Sequence, residues 1–290
     1  MSPRKPSMNR SVNRRIGARL ITGFCLFASG VLYGDNILLI GDSISLGYQY
    51  RAQLYAGDRH TIVHPMVNAL TSTFCKNNIE NWLLMTNTLW DAVHFNVGLH
   101  DIVRLPDISA PPKTAVETYQ ENLRDIVEII RNDSPCAVIV FALSTPVLSQ
   151  TNRIPEDVAV YNSAATNVLA DQNVYINDLY SLMLPHQEEY HLPDGTHFTS
   201  DGNQFNAENV VDFIDSIPRP PPCLWADGHW IKYTARSNWI YNVYYSTNTG
   251  AGHGRLLETN ISGGGEVHSF HISEGGGSSG WYWIGATSEE

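Results

Sequence analysis

From Asn36 to Ile217 the chain alternates short apolar runs with amphipathic stretches. Few architectures accept that rhythm. Asn36-Ile37-Leu38-Leu39-Ile40, Ala92 to Val97 and Ala137-Val138-Ile139-Val140-Phe141 are too short and too uniformly apolar for surface helices. They read as strands covered on both faces. Thr61-Ile62-Val63 and Val174-Tyr175-Ile176 read as two more short strands. Helical patterns lie between them, at 45–55 and 79–85. The clearest is 113–132, where Val116, Tyr119, Leu123, Ile126, Val127 and Ile130 mark out one face. Residues 156–171 follow Pro155, which suits a first helical turn, and 200–217 open on Ser200 or Asp201 as candidate caps. Such alternation implies an α/β fold with a parallel sheet and helices on both faces. Ligands of such sheets bind beyond the carboxyl ends of the strands, so chemistry is sought there.

Pro218-Arg219-Pro220-Pro221-Pro222 ends the pattern with a stiff, extended spacer. Beyond it the composition turns to Trp, Tyr, Ser, Thr and Gly. Trp239 to Ser246 alternates in the manner of a strand, and Gly263-Gly264-Gly265 and Gly275-Gly276-Gly277 punctuate the rest. The expected organisation is therefore a domain at 35–217, a linker at 218–223 and a small C-terminal antiparallel β module at 224–290.

The first 34 residues read as a secretory signal peptide. Six of the 18 Lys and Arg residues fall within the first 19 positions, and no Asp or Glu precedes Asp35. An apolar run from Leu20 to Tyr33 follows, with small residues at Ala28 and Gly30 for cleavage. That run is shorter than the roughly 20 residues needed to span a bilayer. The expectation is a secreted or periplasmic protein without stable membrane insertion once the signal is removed. Outside the leader, 12 basic residues face 29 acidic ones. So acidic a body repels phosphate backbones and anionic membranes, which argues against nucleic acid and favours an uncharged substrate. Beyond Cys25 there remain Cys75, Cys136 and Cys223, enough for one intrachain disulfide at most. No CxxC pair occurs, and His268 and His271 lack further obvious ligands, so neither a metal nor an organic cofactor is expected.

Three short segments carry chemistry. Gly41-Asp42-Ser43 stands where the first strand gives way to a helix. A serine there projects its hydroxyl into the crevice, and its N–H is one of the free donors of a helix N-terminus. Asp194-Gly195-Thr196-His197 precedes the last helix, where one tight loop can supply both a base and the carboxylate that orients it. Gly98-Leu99-His100-Asp101 leaves the middle strand at the same edge of the sheet. Gly98 lets the chain bend toward the crevice and brings His100 in, while Asp101 is a candidate cap for the next segment. His94, Trp82 and Trp90 read as core. His186 and His191 lie near the crevice loop and are candidates to line a substrate site. Trp225, Trp230 and Trp239 either stack on sugars or pack.

Over residues 36–216 these segments resemble the SGNH (GDSL-type) hydrolase family. The resemblance implies a flavodoxin-like three-layer α/β/α sandwich. It implies Ser43 as nucleophile, His197 as base and Asp194 as its orienting acid. Two blocks depart from the usual pattern. The third block is usually Gly-x-Asn-Asp, and here His100 replaces the oxyanion-donating Asn, as in a subset of bacterial members with the same Gly-Leu-His-Asp block. A neutral imidazole can donate through one ring N–H. The second block lacks its glycine: Asn68-Ala69-Leu70-Thr71-Ser72 stands there. The expected oxyanion and substrate contacts are Ser43, Leu70, Gly98 and His100, with the second-block donor left open among 69–71.

What the resemblance implies is a secreted serine esterase acting on a small ester or acylated glycan, with acetyl on carbohydrate as the leading substrate. A lipase or thioesterase of the same fold is the alternative, as is a silent carbohydrate-binding protein, for which the missing oxyanion residues are the motive.

Overall fold

The computed structural model describes residues 35–86, 90–149 and 151–217, and the backbone of six strands between Leu224 and Ser288. The leader, the proline-rich spacer, the side chains of the C-terminal strands and the glycine-rich stretches lie outside the described residues, and with them the expectations placed there.

Five strands form one parallel sheet: β1 (Asp35–Ile40), β2 (His60–Val63), β3 (Ala92–Phe95), β4 (Val138–Ala142) and β5 (Tyr175–Asn177), in the order β2-β1-β3-β4-β5. Every neighbouring pair is parallel. β3 and β4 are buried throughout and β1 over its last four residues, as the apolar runs require. Among the described residues, seven α-helices connect and flank the strands: α1 (Ser43–Ala56), α2 (Ser72–Leu83), α3 (Val116–Asp133), α4 (Pro155–Leu169), α5 (Leu179–Met183), α6 (Gln187–Tyr190) and α7 (Ser200–Ser216). Their contacts divide them into two groups, α1 with α7 and α2 with α3 and α4. The result is the expected α/β/α sandwich.

The apolar stripe of α3 is the best-read element. Tyr119, Leu123, Ile126, Val127 and Ile130 are fully buried. Each such aliphatic side chain stabilises the fold by about 1.5–3 kcal/mol when removed from water. The helix begins at Val116, three residues later than the pattern suggested. Lys113 and Thr114 are instead held by backbone bonds from Lys113 N–H to Val103 and from Thr114 N–H to Asp101. α5 and α6 are too short to produce a periodic signal, and α2 starts at Ser72, well before its apolar residues become periodic. Thr199, rather than Ser200 or Asp201, caps α7, its hydroxyl accepting from Gly202 N–H. Trp82, Trp90 and His94 are buried as expected, and the Trp90 indole donates to the Leu83 carbonyl at 2.8 Å.

In the C-terminal region, β6 (Leu224–Asp227), β7 (Trp230–Thr234) and β10 (Val267–His271) form one antiparallel sheet. β8 (Trp239–Ser246), β9 (Arg255–Ser262) and β11 (Trp281–Ser288) form another. Both agree with an antiparallel module. Cys75 is free and buried, and Cys136 is disulfide-bonded.

Candidate active site

The strand order reverses between β1 and β3, which leave the sheet side by side in opposite senses of connection. A crevice opens at such a point. The loops after these two strands are Gly41-Asp42-Ser43 and Asn96 to Asp101, so the topology places two of the three segments next to one another. Asn96 N–H donates to the Ile40 carbonyl at 3.0 Å, continuing the pairing into the loops.

Local chemistry fixes Ser43. Asp42 caps α1, its carboxylate accepting from Ile44 N–H at 2.9 Å. Ser43 is thus the first helical residue, and its own N–H has no partner among the described residues. Gly41 has to be glycine, because a Cβ there would lie 2.6 Å from Ser45 Oγ. Its carbonyl accepts from Ala69 N–H at 2.9 Å, tying the second block to the first.

The loop carrying the acid and base folds on itself. His191 and Phe198 form an isolated antiparallel bridge, and Gly195 turns the chain with a φ of 68°. Asp194 Oδ1 accepts from Thr196 N–H and His197 N–H, each at 2.9 Å. Its Oδ2 lies 2.8 Å from His197 Nδ1, and His197 Nε2 lies 2.8 Å from Ser43 Oγ. Two distant segments therefore meet in one hydrogen-bonded line of carboxylate, imidazole and hydroxyl. Burial works to raise the Asp194 pKa. The two N–H groups, the ring and the imidazole charge outweigh it and hold the pKa at about 2. A carboxylate fixed in its charged form orients a ring N–H and stabilises an imidazolium. The His197 and Asp194 side chains are 44% and 50% exposed, so the site is open.

The second block is tied by its own bonds. Leu70 takes a positive φ of 50°, the conformation a glycine would adopt freely, but its N–H donates to Asn68 Oδ1 at 2.8 Å. Leu70 is therefore not the open donor. Ala69 N–H is bonded to Gly41, and Ser72 N–H to Asp101. Between Ala69 and Ser72, Thr71 N–H alone has no partner among the described residues.

Asp101 differs from its expected role as well. It is fully buried and ties down Ser72, the first residue of α2 after its cap Thr71, accepting from Ser72 N–H at 2.9 Å and Ser72 Oγ at 2.7 Å. Burial raises its pKa against those bonds. Gly98 has a φ of 149°, and a Cβ there would lie 2.5 Å from Ser144 Oγ. The turn brings His100 into the same electrostatic neighbourhood as Asp42 and His197. Burial lowers the His100 pKa. The Asp42 carboxylate opposes this, and the charges of Arg153, Lys113 and His197 add to it. That direction favours the neutral ring, which has one N–H to give. Asp42 is fully buried, and burial raises its pKa; the Ile44 N–H and the charges at His100, Arg153 and His197 pull it back.

The two candidate lining histidines are held in different ways. His191 is buried with its ring nitrogens against the carbonyls of Gln187 and Pro146, at 2.7 and 3.0 Å. It fastens the base-bearing loop to the segment after β4. His186 stacks on Tyr190, with ring centroids 5.3 Å apart. Sequence reading missed Arg153, whose Nε donates to the Leu99 carbonyl at 2.6 Å. Its loop has no periodicity or motif to single it out. Among the described residues no cluster of His, Cys, Asp or Glu has a metal-binding arrangement, and no helix is long and apolar enough to cross a membrane.

Solved structures share this fold. A lipase/acylhydrolase from Enterococcus faecalis is 19% identical with a TM-score of 0.51, over 64% of this chain and 99% of its own. The acetyl xylan esterase AlAXEase is 16% identical with a TM-score of 0.52, over 63% and 100%. A carbohydrate esterase family 3 protein from Talaromyces cellulolyticus is 18% identical with a TM-score of 0.50, over 62% and 96%. At such identities the likeness establishes the fold. No curated protein matches the chain. The model of the GDSL-like lipase/acylhydrolase family matches residues 39–205, from the end of β1 into α7, and takes in every segment of the site. The chain belongs to the GDSL-like lipase/acylhydrolase family and is an ester hydrolase of that type.

Proposed function

We propose that the protein is a secreted serine esterase that removes small acyl groups, chiefly acetyl, from carbohydrate. The observation that carries this reading is the unbroken line Asp194–His197–Ser43 at the mouth of the crevice. Ser43 Oγ attacks the ester carbonyl as His197 Nε2 takes its proton. The carbonyl oxygen becomes an oxyanion facing the N–H groups of Ser43 and Thr71 and the neutral ring of His100. Collapse breaks the ester bond, and His197 returns the proton to the departing sugar hydroxyl. Water then enters, gives a proton to His197 and frees the carboxylic acid from Ser43. Thr71 takes the place foreseen for Leu70, and Gly98 contributes by its turn.

Support for a glycan comes from two directions. The base and its carboxylate are half-exposed, so an acyl group on a bulky polymer has access. Two proteins of the same fold are named for acetyl xylan and for carbohydrate ester substrates. Secretion is supported by the basic and apolar leader and by the disulfide at Cys136, since structural disulfides belong to oxidising compartments. The division at 217/218 and 223/224 is part of the same reading, with the tail a packing or binding module.

The test compares p-nitrophenyl acetate with the octanoate and palmitate esters, alongside acetate release from acetylated xylan and pectin. The reading predicts highest kcat/KM on the acetate and release from at least one glycan. Preference for long acyl chains with no glycan activity would replace it with a lipase or thioesterase.

A further inference from the structure

Arg153 sits on the third block, its Nε bonded to the carbonyl that precedes His100. Nη1 donates to Asn152 Oδ1 at 3.0 Å. Three of the five guanidinium N–H groups remain, on Nη1 and Nη2, without a protein partner among the described residues. No carboxylate of the described residues lies within salt-bridge distance of it, whereas Arg59 and Arg104 both have one. The two acids whose fields reach it are committed elsewhere. Asp42 is fully buried and bonded to Ile44 N–H, and Asp194 holds His197 and two backbone N–H groups.

A half-buried guanidinium has lost water, and burial accordingly lowers its pKa. The more distant charges of Asp42 and Asp194 offset that loss only in part, and no carboxylate is in contact. The remaining N–H groups form a planar fork, the shape that takes a carboxylate through two parallel bonds. Position matters as much as shape. The charge of Arg153 bears on Asp42, Asp194 and His100, one from each of the three segments that build the site. Lys113, exposed and without an ion pair among the described residues, bears on His100 as well. In a chain whose body is strongly acidic, two cations thus bear on the crevice.

We infer that Arg153, assisted by the charge of Lys113, is an anion subsite that binds a carboxylate on the esterified sugar, so that the preferred substrates are O-acylated uronic acids. The inference rests on the esterase reading above and narrows it. It also refines the expectation of an uncharged substrate: the surface repels anions broadly, but the crevice admits a single carboxylate held in place.

The test uses two esters that differ only in charge, a mono-O-acetylated methyl glucuronoside and the corresponding uronamide, with acetate release followed by proton NMR. The full-length protein is expected to favour the uronate by about tenfold in kcat/KM, the worth of one charge-assisted bond pair. In Arg153→Gln that ratio falls to near one, and Arg153→Lys keeps part of it. Added salt reduces the wild-type ratio. A wild type that does not prefer the uronate, or an Arg153→Gln variant that keeps the preference, overturns the subsite. A second measurement separates this from failure of the esterase reading. Methyl glucuronoside is titrated into the wild type and Arg153→Gln by NMR. Binding that is lost in the variant upholds the subsite even if no ester is cleaved, and absent or unaltered binding overturns it.

Discussion

His197 Nε2 lies 2.8 Å from Ser43 Oγ across 154 residues of chain. That contact exists because the loop after β1 and the loop before α7 are each fixed by their own short-range bonds, so neither has to be ordered at the moment of reaction. Asp42 sets the first residue of α1, and Asp194 Oδ1 ties the tight turn that presents the ring. Prepositioning of this kind is where most of the catalytic advantage of such sites resides.

Asp194→Asn retains the size of the side chain but removes its charge and leaves the His197 tautomer unspecified. The expected loss in kcat is roughly 10³–10⁴-fold, by the analogy of other serine triads, with KM little altered. Because Asp194 is held at about 2, it stays charged over the working range. The acid limb of kcat/KM is then not set by Asp194, and its midpoint should lie well above 2. A midpoint near 2 would contradict this.

His100→Ala removes the proposed ring donor. The expected cost is about 10²–10³-fold in kcat, the range for one oxyanion donor. His100→Asn restores an amide donor and should recover a substantial part. If His100→Ala is as active as wild type, the oxyanion is held by the backbone donors alone.

Gly98→Ala places a Cβ at a φ of 149° and 2.5 Å from Ser144 Oγ. The expected destabilisation is about 1–3 kcal/mol, read from urea unfolding. Gly98→Ala combined with Ser144→Gly relieves the contact but not the dihedral strain, and should recover only part of the loss.

His94 is fully buried in β3, and burial pushes its pKa down to about 4. Below pH 6.5 the unfolded chain binds a proton here that the folded chain refuses. Folding free energy from this group is therefore intact above pH 6.5. It falls by about 1.4 kcal/mol per pH unit as the pH drops toward 4. The buried His64 ring, also lowered by burial, acts in the same direction. His94→Gln should flatten the acid slope of stability measured by urea titration between pH 6.5 and 4. An unchanged slope would show that the loss arises elsewhere.

The sheet and the positions of Ser43, Asp194 and His197 were legible in the sequence because each rests on a local signal. The strands are short apolar runs, α3 is a long stripe, and the three residues stand at punctuation between elements. What was not legible depends on contacts between segments. Leu70 was the natural guess where a glycine is missing, since it occupies the corresponding loop. Only the structure shows Asn68 taking its N–H and Thr71 left free. Asp101 looked like a cap for the segment that follows it, but its carboxylate also holds Ser72 of α2, 29 residues upstream. Arg153 had no pattern at all, and its place is set by a bond to Leu99, 54 residues away.

The most direct test of the account is the rate of p-nitrophenyl acetate hydrolysis by purified wild-type protein and by Ser43→Ala, with circular dichroism to show that both fold alike. The account predicts steady turnover by the wild type, a rapid initial release where deacylation is slow, and loss of at least about 10³-fold in the variant. Equal rates for the two proteins would contradict it.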